Sequence, residues 1–422
     1  MRRYARKKRE PVVPKVESVD VTVKHPKRRA ALIITLLVIG LGFIGYGTYN
    51  ALTKDPGWQE VTVSSDAAIN CGSDLHLSYE FEKGTATVEN KQLTALYTQA
   101  CEHAYAMFQP RQAMIGVKNL YAVNASPNVP VQVEPELYVA FSILAQAGSR
   151  ALYLAPIYAE YDQIFYSSSP YEAEIFDPFT SAEEQAYFAE VLSYVRDPAH
   201  VELELLGDYT VCLHVSDEYL RFAEEYGIDA FLDFYWMKNA FIVDYIATVL
   251  HENGFTRVVL SSVDGYSRYL DERDEVFTYS LLDFADGQLR TAAKLDFRGP
   301  CALVAMQAFP VGESFTDRYC TMPSGEIRTA YIDPEDGLCR CAVPTLVGRY
   351  VASTVGCAEI LLQLAPLYIA DSFDAQAAQA LMRRADDISD RGAYTVYCTG
   401  DTIVCNDPQA TLREVYHGYT VE

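Results

Sequence analysis

The chain has 422 residues, 34 Lys or Arg against 57 Asp or Glu, a formal net charge of −23, and is half hydrophobic with 12% aromatic residues. That composition is too apolar and aromatic for a disordered polymer and long enough for one large or two medium domains. A bulk acidic protein does not wrap nucleic acid, so that class of partner is excluded. The charge is uneven: residues 1–54 hold 12 basic and 3 acidic residues, leaving 22 basic and 54 acidic residues beyond them.

In chain order, residues 1–29 read as a basic cytoplasmic tail. Residues 30–53 are 24 consecutive uncharged residues, enough for a spanning helix, which needs about 20. The long basic lead and the lack of a small-x-small cleavage site favour an uncleaved anchor over a signal peptide. The positive-inside rule then puts the N-terminus in the cytoplasm and the acidic body outside, making a single-pass protein of the cell membrane. Residues 54–65 read as a linker, and 66–422 as the extracytoplasmic domain.

LHLSYEFEKGTATVE reads as a hairpin about Lys83-Gly84, and KQLTALYTQACEHAYAMF as a helix. Pro135 opens a further helix, and Ser181 with Glu184 forms a capping box before AYFAEVLSYV. From residue 209 strands dominate, with a turn at Ala285-Asp286-Gly287. Two late helices, CAEILLQLAPLYIA and DAQAAQALMRRADDI, precede a last hairpin, YTVYCTGDTIVC. Hairpins and helices outside a βαβ rhythm imply an α+β fold with antiparallel sheets and packed helices.

All ten cysteines follow the apolar segment. An exported compartment permits pairing, but their density is far below that of a disulfide scaffold. Cys320, Cys339 and Cys341 lack the CxxC pairing or nearby histidine of a zinc site. GxSxG, HExxH, Walker and GxGxxG signatures are absent. The seven histidines are scattered, and His214 reads as structural. Glu359 and Gln363, four apart on one helix, leave the same face and could together offer oxygen to a magnesium-like cation.

LDFYWMKNAFIVDYIATVLHENGFTRVVLSSVDG resembles the central signature of the FAD:protein FMN transferase family, the ApbE-like proteins, with Asp233, Val243, Asp244 and Gly254 at matching positions. YIDPEDG resembles that family's Asp-Pro turn, keeping Asp333, Pro334 and Gly337. Cys71-Gly72-Ser73 resembles its Met-Gly-Thr start, and NASPNVPVQVEPELYVAF the segment that follows. The resemblance runs from about residue 66 to 408. It implies the ApbE-like fold, FAD as substrate, Mg²⁺, and transfer of FMN to a threonine of an extracytoplasmic flavoprotein. It also implies cofactor contacts from Cys71, Gly72, Ser73, Asn239 and Asp333, and a metal site at Glu359 and Gln363. The family's lysine and histidine positions are Asn239 and Ala330, its small pair is Tyr235-Trp236, and its Gly-Gly turn is Val263-Asp264. With the catalytic residues thus unassigned, two readings stay open: a divergent transferase, or a non-catalytic binding or scaffold module on the same fold.

Overall fold

The computed structural model describes residues 55–285, 287–311, 318–351, 355–383 and 392–422. The basic tail and the spanning helix expected over 30–53 lie outside them. Among the described residues no helix is long and apolar enough to cross a membrane.

The organising element is a nine-stranded sheet whose spatial order follows chain order: Gly57–Val61, Leu75–Phe81, Val258–Ser262, Tyr266–Tyr269, Cys301–Gln307, Thr345–Tyr350, Tyr394–Thr399, Thr402–Cys405 and Thr420–Val421. Every pairing is antiparallel except the last, which is parallel. Its middle strands are covered on both faces, because alternate side chains enter two different cores. Ala302, Val304 and Met306 join the larger core with the helices Lys238–Glu252 and Cys357–Tyr368. Cys301, Leu303 and Ala305 point the other way, into a smaller core with Leu281, Leu295 and Phe297 of the hairpin Val276–Ala285 and Gln288–Arg298. This double cover explains why Cys301–Gln307 is a fully buried apolar run rather than an alternating one. The α+β architecture expected from the sequence is present.

Local signals act where they were read. Pro135 stands at the first position of the helix Pro135–Ala147, which ends on Gly148 in the left-handed conformation. The Ser181 hydroxyl accepts the Glu184 N–H and starts the helix Ala182–Val195. The last hairpin pairs Tyr394–Thr399 with Thr402–Cys405.

Two expectations differ. The stretch Leu75–Phe81 is a strand, but the residues after Lys83-Gly84 enter the helix Ala86–Met107 instead of turning back. The strand takes its partners from afar, Gly57–Val61 on one side and Val258–Ser262 on the other. The stretch read as a linker therefore supplies the edge strand of the main sheet.

The helices Lys238–Glu252 and Cys357–Tyr368 are joined by one carboxylate. Asp244 accepts the N–H groups of Cys357 at 2.8 Å and Ala358 at 2.9 Å, so a side chain from one helix caps the other. Arg268 of the sheet donates to the same carboxylate at 2.8 Å. The approach demands glycine at 356, where a Cβ would lie 2.2 Å from Asp244 Oδ2. Asp244→Ala removes this partly buried pair and the two N–H contacts of the cap together, and is expected to lower unfolding free energy by about 3 kcal/mol, read as a shift of the urea midpoint at unchanged slope.

Candidate active site

The first turn of the helix Lys238–Glu252 opens onto a cleft of about 240 Å³. Three cations line it, Lys238, Arg111 and Arg318, with the carboxylates of Asp74, Asp162 and Asp233. Behind them Asn239 Nδ2 lies 3.2 Å from both oxygens of Asp264, and Arg318 Nη1 donates to Asp264 Oδ2 at 2.7 Å. Asp264 is held in place by the turn Val263-Asp264-Gly265. Gly265 has φ 98°, and a Cβ there would meet the Ala305 carbonyl oxygen at 2.2 Å, so only glycine fits.

Aromatic side chains fill much of the remaining space. Tyr235 stacks on Tyr158 with centroids 4.3 Å apart, and its hydroxyl donates to Asp162 at 2.7 Å. Its backbone lies at φ 41°, in the left-handed region that disfavours a bulky residue. The Asp233 carboxylate steadies that turn by accepting the Tyr235 N–H at 2.9 Å, and it pairs with Arg111 at 3.2 Å. Trp236 is 3% exposed, its carbonyl accepting the Tyr266 hydroxyl at 2.9 Å.

Burial pushes the Asp74, Asp162 and Asp233 carboxyls above the usual carboxylate range, against the opposing pull of the nearby cations. Cys71 lines the cleft from the helix Asp66–Gly72. Its thiol is pushed well up by its hydrogen bond to Cys101 and by burial, which disfavours the thiolate a nucleophile needs.

The structure brings together several positions that were far apart in the sequence. Cys71, Asp233, Tyr235, Trp236, Asn239 and Ala330 all line this one cleft, and so does Lys238, one residue before the position at which the resemblance expects a lysine. Gly72 and Ser73 adjoin it in the chain without lining it. Gly72 is required by packing, since a Cβ would lie 2.8 Å from Val63 Cγ1. Asp333 also lies off the lining, where its carboxylate accepts the Glu335 N–H at 2.8 Å and meets Arg340 at 3.4 Å. Asp74, Asp162, Arg111 and Arg318 were not singled out from the sequence. They come from four separate segments, and no local pattern joins them.

Glu359 and Gln363 lie on the helix Cys357–Tyr368, outside the cleft lining. One carboxylate oxygen of Glu359 accepts the Gly356 N–H at 3.1 Å, which completes the turn that Asp244 caps. A Mg²⁺ ion demands six oxygens. Here one carboxylate oxygen and one amide remain, a thin donor set, and neither Glu359 nor Asp333 belongs to a group of three clustered His, Cys, Asp or Glu ligands among the described residues. All ten cysteines are free thiols. His214 pairs with Glu204 at 2.8 Å on the exposed side of a strand.

No family model matches the chain, and no curated protein matches it. Solved structures do. An ApbE protein from Thermotoga maritima superposes with TM-score 0.53 at 11% identity, covering 85% of this chain and 97% of its own. The flavin transferase ApbE from Vibrio cholerae superposes with TM-score 0.53 at 9% identity, covering 87% and 100%. The chain has the fold of the ApbE flavin transferases over most of its length.

The raised Asp74 carboxyl has a measurable sign. Protonation of such a group stabilises the fold fully below the unfolded value of about 3.9, and the gain is lost as pH rises through the higher folded value. Asp74→Asn, which keeps the side chain neutral, is expected to raise the thermal midpoint at about pH 8 and to change it little at about pH 4.

Proposed function

We propose that this chain is a flavin-transferase-like protein whose cleft at Lys238 receives the phosphate-bearing part of a flavin nucleotide. The observation that carries this reading is the convergence of Cys71, Asp233, Asn239 and Ala330, spread over most of the ectodomain, on one cleft that also holds Lys238 and Arg318. The physical fit is to an anion. Lys238 and Arg318 supply positive charge, and the cleft lies at the N-terminal end of the helix Lys238–Glu252, the positive end of its dipole. Asn239, held by Asp264, offers a fixed polar contact.

In its catalytic form the reading is a membrane-anchored FAD:protein FMN transferase. It would act on a threonine of an extracytoplasmic flavoprotein, with residues 30–53 as anchor and the N-terminus cytoplasmic. FAD would bring the diphosphate to be cleaved and a divalent cation would neutralise it. The chain's own contribution is to bind and orient the phosphates through Lys238 and Arg318, beside Asp74, whose carboxyl burial pushes above the usual carboxylate range. Asp333, Glu359 and Gln363 would serve any cation only together with water and substrate phosphate, because Glu359 is already engaged by backbone.

A second reading, a non-catalytic binding module, is favoured by the cleft's contents. Tyr235 and Trp236 occupy it, and 240 Å³ falls below the ~300–1,000 Å³ of common ligand pockets.

Calorimetry of the full-length protein with FAD, with and without Mg²⁺, followed by an assay for released AMP, tests both. Binding at roughly micromolar affinity, weakened about tenfold or more by Lys238→Ala, is expected. AMP release then marks the transferase, and binding without release marks the module. No binding at millimolar FAD overturns the flavin reading.

A further inference from the structure

A second cluster of chemistry-bearing residues lies off the Lys238 cleft. His103 on the helix Ala86–Met107 meets Glu134 and Glu136 at the start of the helix Pro135–Ala147, with one ligating atom of each within 4.8 Å of the others. None of the three lines the cleft already described. We propose that His103, Glu134 and Glu136 form a binding site for one divalent first-row cation, Zn²⁺ by preference, with water completing the coordination.

The position of Glu134 is fixed by backbone. Its Oε1 accepts the Lys118 N–H at 2.9 Å, and its own N–H donates to the Lys118 carbonyl at 3.0 Å. The second carboxylate oxygen is left for a ligand. The His103 ring is held against Tyr245 of the helix Lys238–Glu252, with centroids 5.8 Å apart. Glu136 is exposed and can swing inward. Tetrahedral ligands about 2.1 Å from zinc stand roughly 3.4 Å apart. Reaching that from 4.8 Å takes a side-chain rotation rather than a backbone shift.

Acidic residues in a first helical turn also favour the helix dipole by themselves. That accounts for Glu134 and Glu136 but not for an imidazole brought to the same point by another helix. One nitrogen and two carboxylates suit zinc better than magnesium or calcium, which take all-oxygen sets. Three protein ligands with an open fourth position are the pattern of an accessible zinc centre. Access exists: His103 borders a groove of about 660 Å³, Glu136 borders another of about 360 Å³, and Tyr245 lines both.

The test is competition of the untagged, full-length, chelator-stripped protein against a chromophoric zinc indicator at about pH 7.5. One equivalent of Zn²⁺ is expected at roughly micromolar affinity or tighter, unaffected by millimolar Mg²⁺. His103→Ala and Glu136→Gln should each weaken it by about tenfold or more. His214→Ala, which removes a different exposed His–Glu pair, should leave it unchanged. Glu136 is exposed, so its variant keeps the test decisive should His103→Ala fold poorly. Undiminished affinity in Glu136→Gln, or equal loss in His214→Ala, would overturn the proposal and leave adventitious surface binding only.

Discussion

The Asp244 carboxylate is the contact on which the rest of the arrangement depends. It sits on the helix Lys238–Glu252, caps the helix Cys357–Tyr368 through two backbone N–H groups, and pairs with Arg268 on the central sheet. Three elements remote in sequence are thereby fixed to one point. The same helix carries Lys238 and Asn239 into the cleft one to two turns earlier. Lys238 is therefore positioned by an ion pair that lies outside the cleft lining. A consequence follows for the second helix. Its first N–H groups are satisfied by protein rather than left for a phosphate, and Glu359 is drawn back onto Gly356.

Within the cleft, burial and charge pull in opposite directions. Arg111, Arg318 and Lys238 favour ionised carboxylates, yet desolvation is the larger influence on Asp74, Asp162 and Asp233. A site of this kind is better disposed to an anion than the chain's bulk acidity suggests, because burial favours the neutral form of its three acids while three cations line the same cleft. Tyr235 and Trp236 set the opposing constraint. They limit volume, and the left-handed backbone at Tyr235 is stabilised by Asp233 and by the stack on Tyr158.

Local structure was legible wherever the signal was itself local. Ser181 with Glu184, Pro135, and the last hairpin mark their elements because caps and turns act within a few residues. The failures were long-range. Gly57–Val61 looks like a linker because its strand character depends on pairing with Leu75–Phe81, and Lys83-Gly84 looks like a hairpin turn although the next residues continue into a long helix. The same division holds for the site. Asp233, Asn239 and Ala330 are legible through the order of the motifs they belong to, and they do converge. Asp74, Asp162, Arg111 and Arg318 are not, because each is an ordinary charged residue until the sheet brings it to the mouth of the helix. His103 is likewise one of several scattered histidines until the two helices meet.

The central claim is that the mouth of the helix Lys238–Glu252 is an anion-binding flavin nucleotide site. A crystal structure of the protein soaked with FAD tests it most directly. Phosphate density within hydrogen-bond reach of Lys238 and Arg318 is the predicted result. Nucleotide bound elsewhere, or an empty cleft in crystals soaked at millimolar FAD with that mouth open to solvent, would contradict it.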